Sequence, residues 1–192
     1  MENKRLVCGV GVNDADYEVK KTINGKKTAC PFYTKWQSMI SRCYSEKRLK
    51  KYPTYENCEV CDEWLIFSNF RTWMDSQNWR GNHLDKDLLF VGNKIYSPET
   101  CVFVSQLTNM LTTDHAAARG DWPLGVYLHK ATGRLAAKCN NPFTAKQEWL
   151  GLFDCQDSAH LAWKRKKHEH ACALSLLQED PRVASALRTR YL

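Results

Sequence analysis

No apolar run in this sequence approaches the roughly 18–20 residues a membrane-spanning helix needs, so no membrane partner is expected. The start of the chain, 1–12, is too short and too interrupted by glycine to read as a secretory signal. No internal repeat is present, which sets solenoid architectures aside. An excess of acid is also missing: 28 Lys and Arg stand against 21 Asp and Glu, for a net charge of +7 and a pI near 8.9. That is a moderate electrostatic bias toward polyanions. With no export expected, the nine cysteines, an odd number, are not expected to form disulfides. Metal ligation or plain burial must account for most of them. Disorder as the main state is excluded by what is there: 43% of the 192 residues are hydrophobic, with seven Trp, eight Tyr and seven Phe. A chain of this length buries roughly 70% of its unfolded surface.

The opening segment, 1–27, reads as an arm or hairpin with a polar turn at Asn24-Gly25. A helix is expected from Pro31, with Phe32, Trp36, Met39, Ile40 and Cys43 on its core face. The basic run 47–51 and Pro53 are expected to close it as a solvated loop. A second helix follows the Cys58/Cys61 pair, with Val60, Trp64, Phe67, Phe70 and Met74 as its stripe and Gly81 as its end. Residues 83–104 change to short strands and turns. Residues 112–121, rich in Thr, Ala, Asp and Gly, are the expected linker. Three strands follow, at 125–129, 133–140 and 147–153, and then a helix over 156–171 that turns Ala159, Ala162, Trp163 and Ala171 to the sheet and 164–170 to solvent. A last helix is capped by Asp180, with Val183, Leu187 and Tyr191 on one side. The fold class is therefore α+β, with one module over 1–111, a second over 122–172 and a terminal helical segment over 173–192.

Strand parity decides the reading of the second module. If Val126 and Leu128 point inward, so do Leu135, Ala137, Cys139 and Leu150, a face fit to cover one helix. The opposite face is then Tyr127, His129, Arg134, Lys138, Asn140, Gln147 and Trp149, with no acid among them. Donor-rich and aromatic side chains on a sheet are the mixture used to reach base edges in the major groove of double-stranded DNA. The alternative is a small α+β module that binds protein or nothing.

The segments GVYLHKATGRLAAKCN, EWLGLFD and AHLAW resemble the plant-type ethylene-response-factor (APETALA-type) DNA-binding domain. The resemblance implies a three-stranded sheet lying in the major groove with a helix behind it, and DNA contacts at Tyr127, His129, Lys138, Asn140, Gln147 and Trp149. Several of these positions are Arg in the plant domains, so sequence preference does not carry over.

The segments CPFYTKWQSMISRCYS, YPTYENCEVCDEWLIFSNFRTWM and LDKDLLFVGNKIYSPETCVFV resemble phage-encoded HNH-type homing-endonuclease-like proteins. Together the two resemblances span nearly the whole chain. They imply a phage DNA nuclease of ββα-metal-like fold at the front, working in the cytoplasm of the infected bacterial host. The chemistry needs a base to take a proton from water and ligands to hold a divalent metal at the scissile phosphate. His83, Asp85 and Asp87 share strand parity, and hard oxygen ligands suit Mg²⁺ or Mn²⁺. Asp85 and Asp87 are assigned to the metal, His83 to the base, and Asn93 to orienting the phosphate or the site loop; Lys86 or Arg80 offsets phosphate charge. The bland alternatives are a charged turn rim for the aspartates and a surface histidine for His83. In the closing SPETCVFV, Thr100-Cys101 stands where the family has Asn-Leu, so a catalytically silent DNA-binding protein is the second reading. A host-takeover factor that binds protein is the third.

Cys43, Cys58, Cys61 and Cys101 are the expected ligands of a structural Zn²⁺, with Cys30 as a competitor. Against this stands the packing of cysteine as a small apolar residue. Cys8, Cys139, Cys155 and Cys172 are read as structural or incidental.

Overall fold

Proline lacks a backbone donor and presets a helical φ, so a helix begins readily at it. In the structure, a computed structural model that describes residues 6–113 and 121–192, the helix α1 (Pro31–Tyr44) starts at Pro31. The chain divides into two compact units, Met1–Val104 and Ser105–Leu192. Both are mixed α and β.

In the first unit the hairpin β1 (Lys20–Ile23) and β2 (Lys26–Ala29) turns at Asn24-Gly25, both in positive φ, as the polar pair predicts. Helix α1 buries Tyr33, Trp36, Met39, Ile40 and Cys43. Phe32 is only half-buried and packs on Trp79, with ring centroids 4.9 Å apart. The basic run is helical: α2 (Glu46–Lys51) forms because Glu, Lys, Arg and Leu are all good helix formers and nothing in the segment breaks them. The expected second helix is shorter than its stripe. Val60 lies in β3 (Glu59–Val60), Trp64 in a 3₁₀ turn (Asp62–Leu65), and only Phe67, Phe70 and Met74 lie on α3 (Phe67–Asp75), which ends before Gly81. The cause is tertiary: β3 pairs in parallel with β5 (Ile95–Tyr96), which holds residues 59 and 60 extended. The preceding strand β4 (His83–Asp85) pairs antiparallel with β6 (Val102–Val104).

The core of this unit is aromatic. Trp36 and Trp64 are fully buried, and the Trp36 indole donates to the Trp64 carbonyl at 2.7 Å. Phe67, Phe70 and Trp73 surround them in tilted and edge-on contacts, and Phe103 stacks on Trp73. The start of α3 lacks a capping side chain of its own, and Asp14 supplies one from far upstream. Its carboxylate accepts from the Ser68 amide at 2.9 Å and the Ser68 hydroxyl at 2.6 Å.

The second unit opens with α4 (Gln106–Thr112), a helix absent from the expectations above, which place residues 106–111 in the first module without one. Its final carbonyls show why it belongs here. Leu111 O accepts from Lys167 and from the Tyr191 hydroxyl, and Thr112 O accepts from Arg190, so the groups that a helix end leaves orphaned are met by residues 167, 190 and 191. Of the expected linker, residues 114–120 lie outside the described residues and Thr112 is helical. The three-stranded antiparallel sheet runs in the order β7 (Val126–His129), β8 (Arg134–Asn140), β9 (Gln147–Phe153). Helix α5 (Gln156–Ser175) covers one face, and α6 (Pro181–Thr189), capped by Asp180, packs on α5. The terminal helix is thus part of this unit's core through Val183 and Leu187.

Small residues let α5 approach the sheet: Ala137 and Ala159 are fully buried beside Val126. At Gly125 the approach leaves no room at all. Its φ is +79°, and a Cβ there would stand 2.0 Å from Trp163. His170, expected outside with its basic neighbours, is buried, and its Nε2 lies 3.2 Å from the Glu148 carboxylate on the sheet's inner face.

Candidate functional site

The β8–β9 register determines which side chains share the open face. Ala137 pairs with Gly151 and Lys138 with Trp149, so Leu150 is an extra residue, a β-bulge. Before the bulge Gln147 and Trp149 point away from α5. After it the parity is reversed: Leu152 stands opposite Ala136 on the outer face, and Phe153 turns inward with Leu135 and Leu150 onto the Val126 cluster. The outer face therefore carries Tyr127, His129, Arg134, Lys138, Asn140, Gln147 and Trp149 as expected, plus Leu152. At its edge lies Asp154, whose carboxylate accepts from Arg134 at 2.8 Å. The expectation of a face without acid is corrected by this one carboxylate. The bulge is its cause, and the uneven alternation around Gly151 was the only signal for it.

Several of these side chains are held in place. Lys138 Nζ sits 4.9 Å from the Tyr127 ring centroid, a cation–π contact that keeps both on the face. Gln147 Nε2 donates to Asn140 Oδ1 at 3.1 Å, aligning the two amides across the strands. The His129 ring is 2.9 Å from the Thr132 hydroxyl in the β7–β8 turn. Trp149 is 62% exposed, an unusual place for the largest apolar side chain. Leu128, expected inward, is 48% exposed, because its strand ends one residue later, at His129.

The LDKD segment is organised otherwise. His83 is exposed on β4, and Asp85 lies two residues on, so both project to the same side of the strand. Asp87 is past the strand end and does not continue that parity. The reason is Asp85 itself: its Oδ1 accepts the amides of Asp87 at 3.0 Å and Leu88 at 2.8 Å, which bends the chain. Asn93 holds the site loop by donating to the carbonyls of Lys86 and Ile95, at 2.6 and 2.7 Å. Lys86 is buried, its ammonium shared between Asp87 Oδ2 at 3.1 Å and the Asn93 carbonyl at 2.9 Å, so it is not exposed to a phosphate. The Arg80 guanidinium lies over the Trp79 ring.

Among the described residues, no three His, Cys, Asp or Glu side chains gather as a metal-ligand set. Cys43, Cys58 and Cys101 are buried in the aromatic core, and Cys61 packs at its margin. Burial pushes the Cys43 and Cys101 thiols up to about 12, in keeping with their packing as small apolar groups. As arranged among the described residues, neither the four thiols nor the Asp85 and Asp87 carboxylates gather into a metal-ligand set. Cys155 differs from the other thiols. It caps α5, and the hydroxyl and amide of Ser158 hold its exposed thiol below the usual range.

No protein-family model, curated protein or solved structure matches this chain. No helix among the described residues is long and apolar enough to cross a membrane.

Proposed function

We propose that the protein binds double-stranded DNA by laying the outer face of β7–β9 in the major groove. The observation that carries this reading is Trp149 at 62% exposure, flanked in register by Lys138 and by the aligned Asn140–Gln147 amides, on the face opposite α5. Amides and cations address base edges and phosphates, and the two aromatics add contact area that a merely solvated sheet rarely exposes. Given the resemblance on which the reading also leans, the DNA is that of a phage or its bacterial host. The test is a gel-shift series with random and phage duplexes at increasing salt. Counterion release makes log K fall steeply with log salt. Absent binding, or binding indifferent to salt, contradicts the proposal, and the latter points to a protein partner.

A second reading is supported by His83 and Asp85 sharing one side of β4: an HNH-derived nuclease. Its catalytic set is smaller than the motif implies, because Asn93 and Lys86 bond within the loop. Supercoiled plasmid incubated with Mg²⁺ or Mn²⁺ tests it. Nicking lost in His83→Ala and in Asp85→Asn, which keeps the amide-accepting oxygen, supports a nuclease. Intact plasmid throughout leaves the silent DNA binder, and metal analysis of the purified chain decides whether zinc accompanies it.

A further inference from the structure

Apart from the sheet and the LDKD loop, the first unit holds an open cavity of about 340 Å³ between the last turn of α1 and α2. Its lining is Ser41, Ser45, Lys47, Arg48, Lys51 and Tyr52: three cations, three hydroxyls and no carboxylate. The sequence builds it directly. Ser45 is extended, at φ −90° and ψ 111°, and breaks the path between the helices, so α2 folds back with Lys47 and Lys51 one turn apart on one face and Arg48 beside them. Cations at this spacing repel one another. Among the described residues none of the three has an ion-pair partner. Arg48 also carries a buried Nε that no acceptor meets, a group proteins seldom leave unsatisfied. The carbonyl end of α1 opposes an anion with about half a charge, less than the three side-chain cations supply.

We infer that this cavity binds a phosphoryl group. The Arg48 fork takes two oxygens, Lys47 and Lys51 act as point charges, and the Ser41 and Ser45 hydroxyls donate to the oxygens that remain. A tetrahedral anion with acceptors on every side uses this donor set more fully than a planar carboxylate does. The volume exceeds a lone phosphate and lies in the range of small-ligand sites. The phosphoryl group therefore comes either from a free mononucleotide or from a nucleic-acid backbone. This site does not depend on the sheet.

The experiment is calorimetric titration of the full chain with inorganic phosphate, adenosine monophosphate and a short duplex, using wild type, Arg48→Gln and the double variant Lys47→Gln/Lys51→Gln. Affinity for the phosphoryl probe falls at least about tenfold in the Arg48 and double variants, the scale of one charge-assisted hydrogen bond. Free adenosine monophosphate losing affinity in this way identifies a mononucleotide site; a loss with the duplex alone identifies a backbone site. The double variant alters partly solvated side chains, so the test survives if Arg48→Gln fails to fold. The inference is overturned if no probe loses affinity in either variant. It is equally overturned if Lys26→Gln/Lys27→Gln, which removes two charges from the exposed β1–β2 hairpin, lowers duplex affinity as much.

Discussion

The LDKD loop and the open sheet face contain similar side chains, and the two regions use them in opposite directions. In the loop, Asp85 accepts two backbone amides, Asn93 bridges two carbonyls, and Lys86 is buried between Asp87 and Asn93. These polar groups hold the chain in shape. On the sheet, backbone pairing and the packing of α5 already fix the shape, so Lys138, Asn140, Gln147 and Trp149 are left facing outward. Residue type alone does not distinguish a site from a brace; what separates them is whether the backbone has already been satisfied by other means.

The sharpest way to break this comparison is at Gly125. Gly125→Ala forces a Cβ against Trp163 at positive φ, and should destabilise the second unit by about 3 kcal/mol or more, measured by chemical denaturation. If that loss is absent, the sheet is not held by α5 in the way described. Next is Asn93→Ala, which leaves the Lys86 and Ile95 carbonyls without their donor and should lower the stability of the first unit by about 1–3 kcal/mol without changing duplex affinity. A loss of affinity larger than the loss of stability would make Asn93 a contact residue. A smaller effect is expected at the sheet edge. Asp154→Asn releases Arg134 from a surface ion pair and should tighten duplex binding by about two- to fivefold in a gel-shift titration.

Acid sharpens the comparison inside the second unit. Glu148 is held below the ordinary glutamate range, first by the Asn141 amide and further by His170. A carboxyl with a depressed folded pKa stabilises fully above its unfolded pKa, about 4.3, and the contribution is lost as the pH falls through the folded value. Melting temperature should therefore drop below about pH 4, and Glu148→Gln should flatten that part of the profile. The thiols give the last check. Brief iodoacetamide treatment at neutral pH, read by peptide mass spectrometry, should label Cys155 readily and leave Cys43 and Cys101 unmodified until the protein is unfolded.

How far the sequence could be read follows from how local each determinant is. The Asn24-Gly25 turn, the Pro31 start, the Asp180 cap and the three strands of the sheet are written in adjacent residues, and they lie where that reading expects them. The features that escaped it depend on distant partners. Helix α4 is only seven residues long and buries two threonines, Thr108 and Thr112, beside Leu111, and its carbonyls are met by residues 167, 190 and 191. The cap of α3 comes from Asp14, and the extended conformation at Val60 comes from pairing with Tyr96. The outer face was legible as far as Trp149. Past that residue the bulge reversed the parity, which brought in Leu152 and Asp154. For the LDKD loop the sequence supplied the residue types but not their partners, and the burial of Lys86 had no local sign.

The measurement that bears most directly on the account is the equilibrium affinity of Trp149→Ala and Lys138→Ala for a duplex that the wild type binds, each checked for an unchanged melting temperature. Each should weaken binding by about 1–3 kcal/mol, while His83→Ala, in the other unit, leaves affinity unchanged. Wild-type affinity in both sheet variants, with the fold intact, would contradict the claim that this face grips DNA.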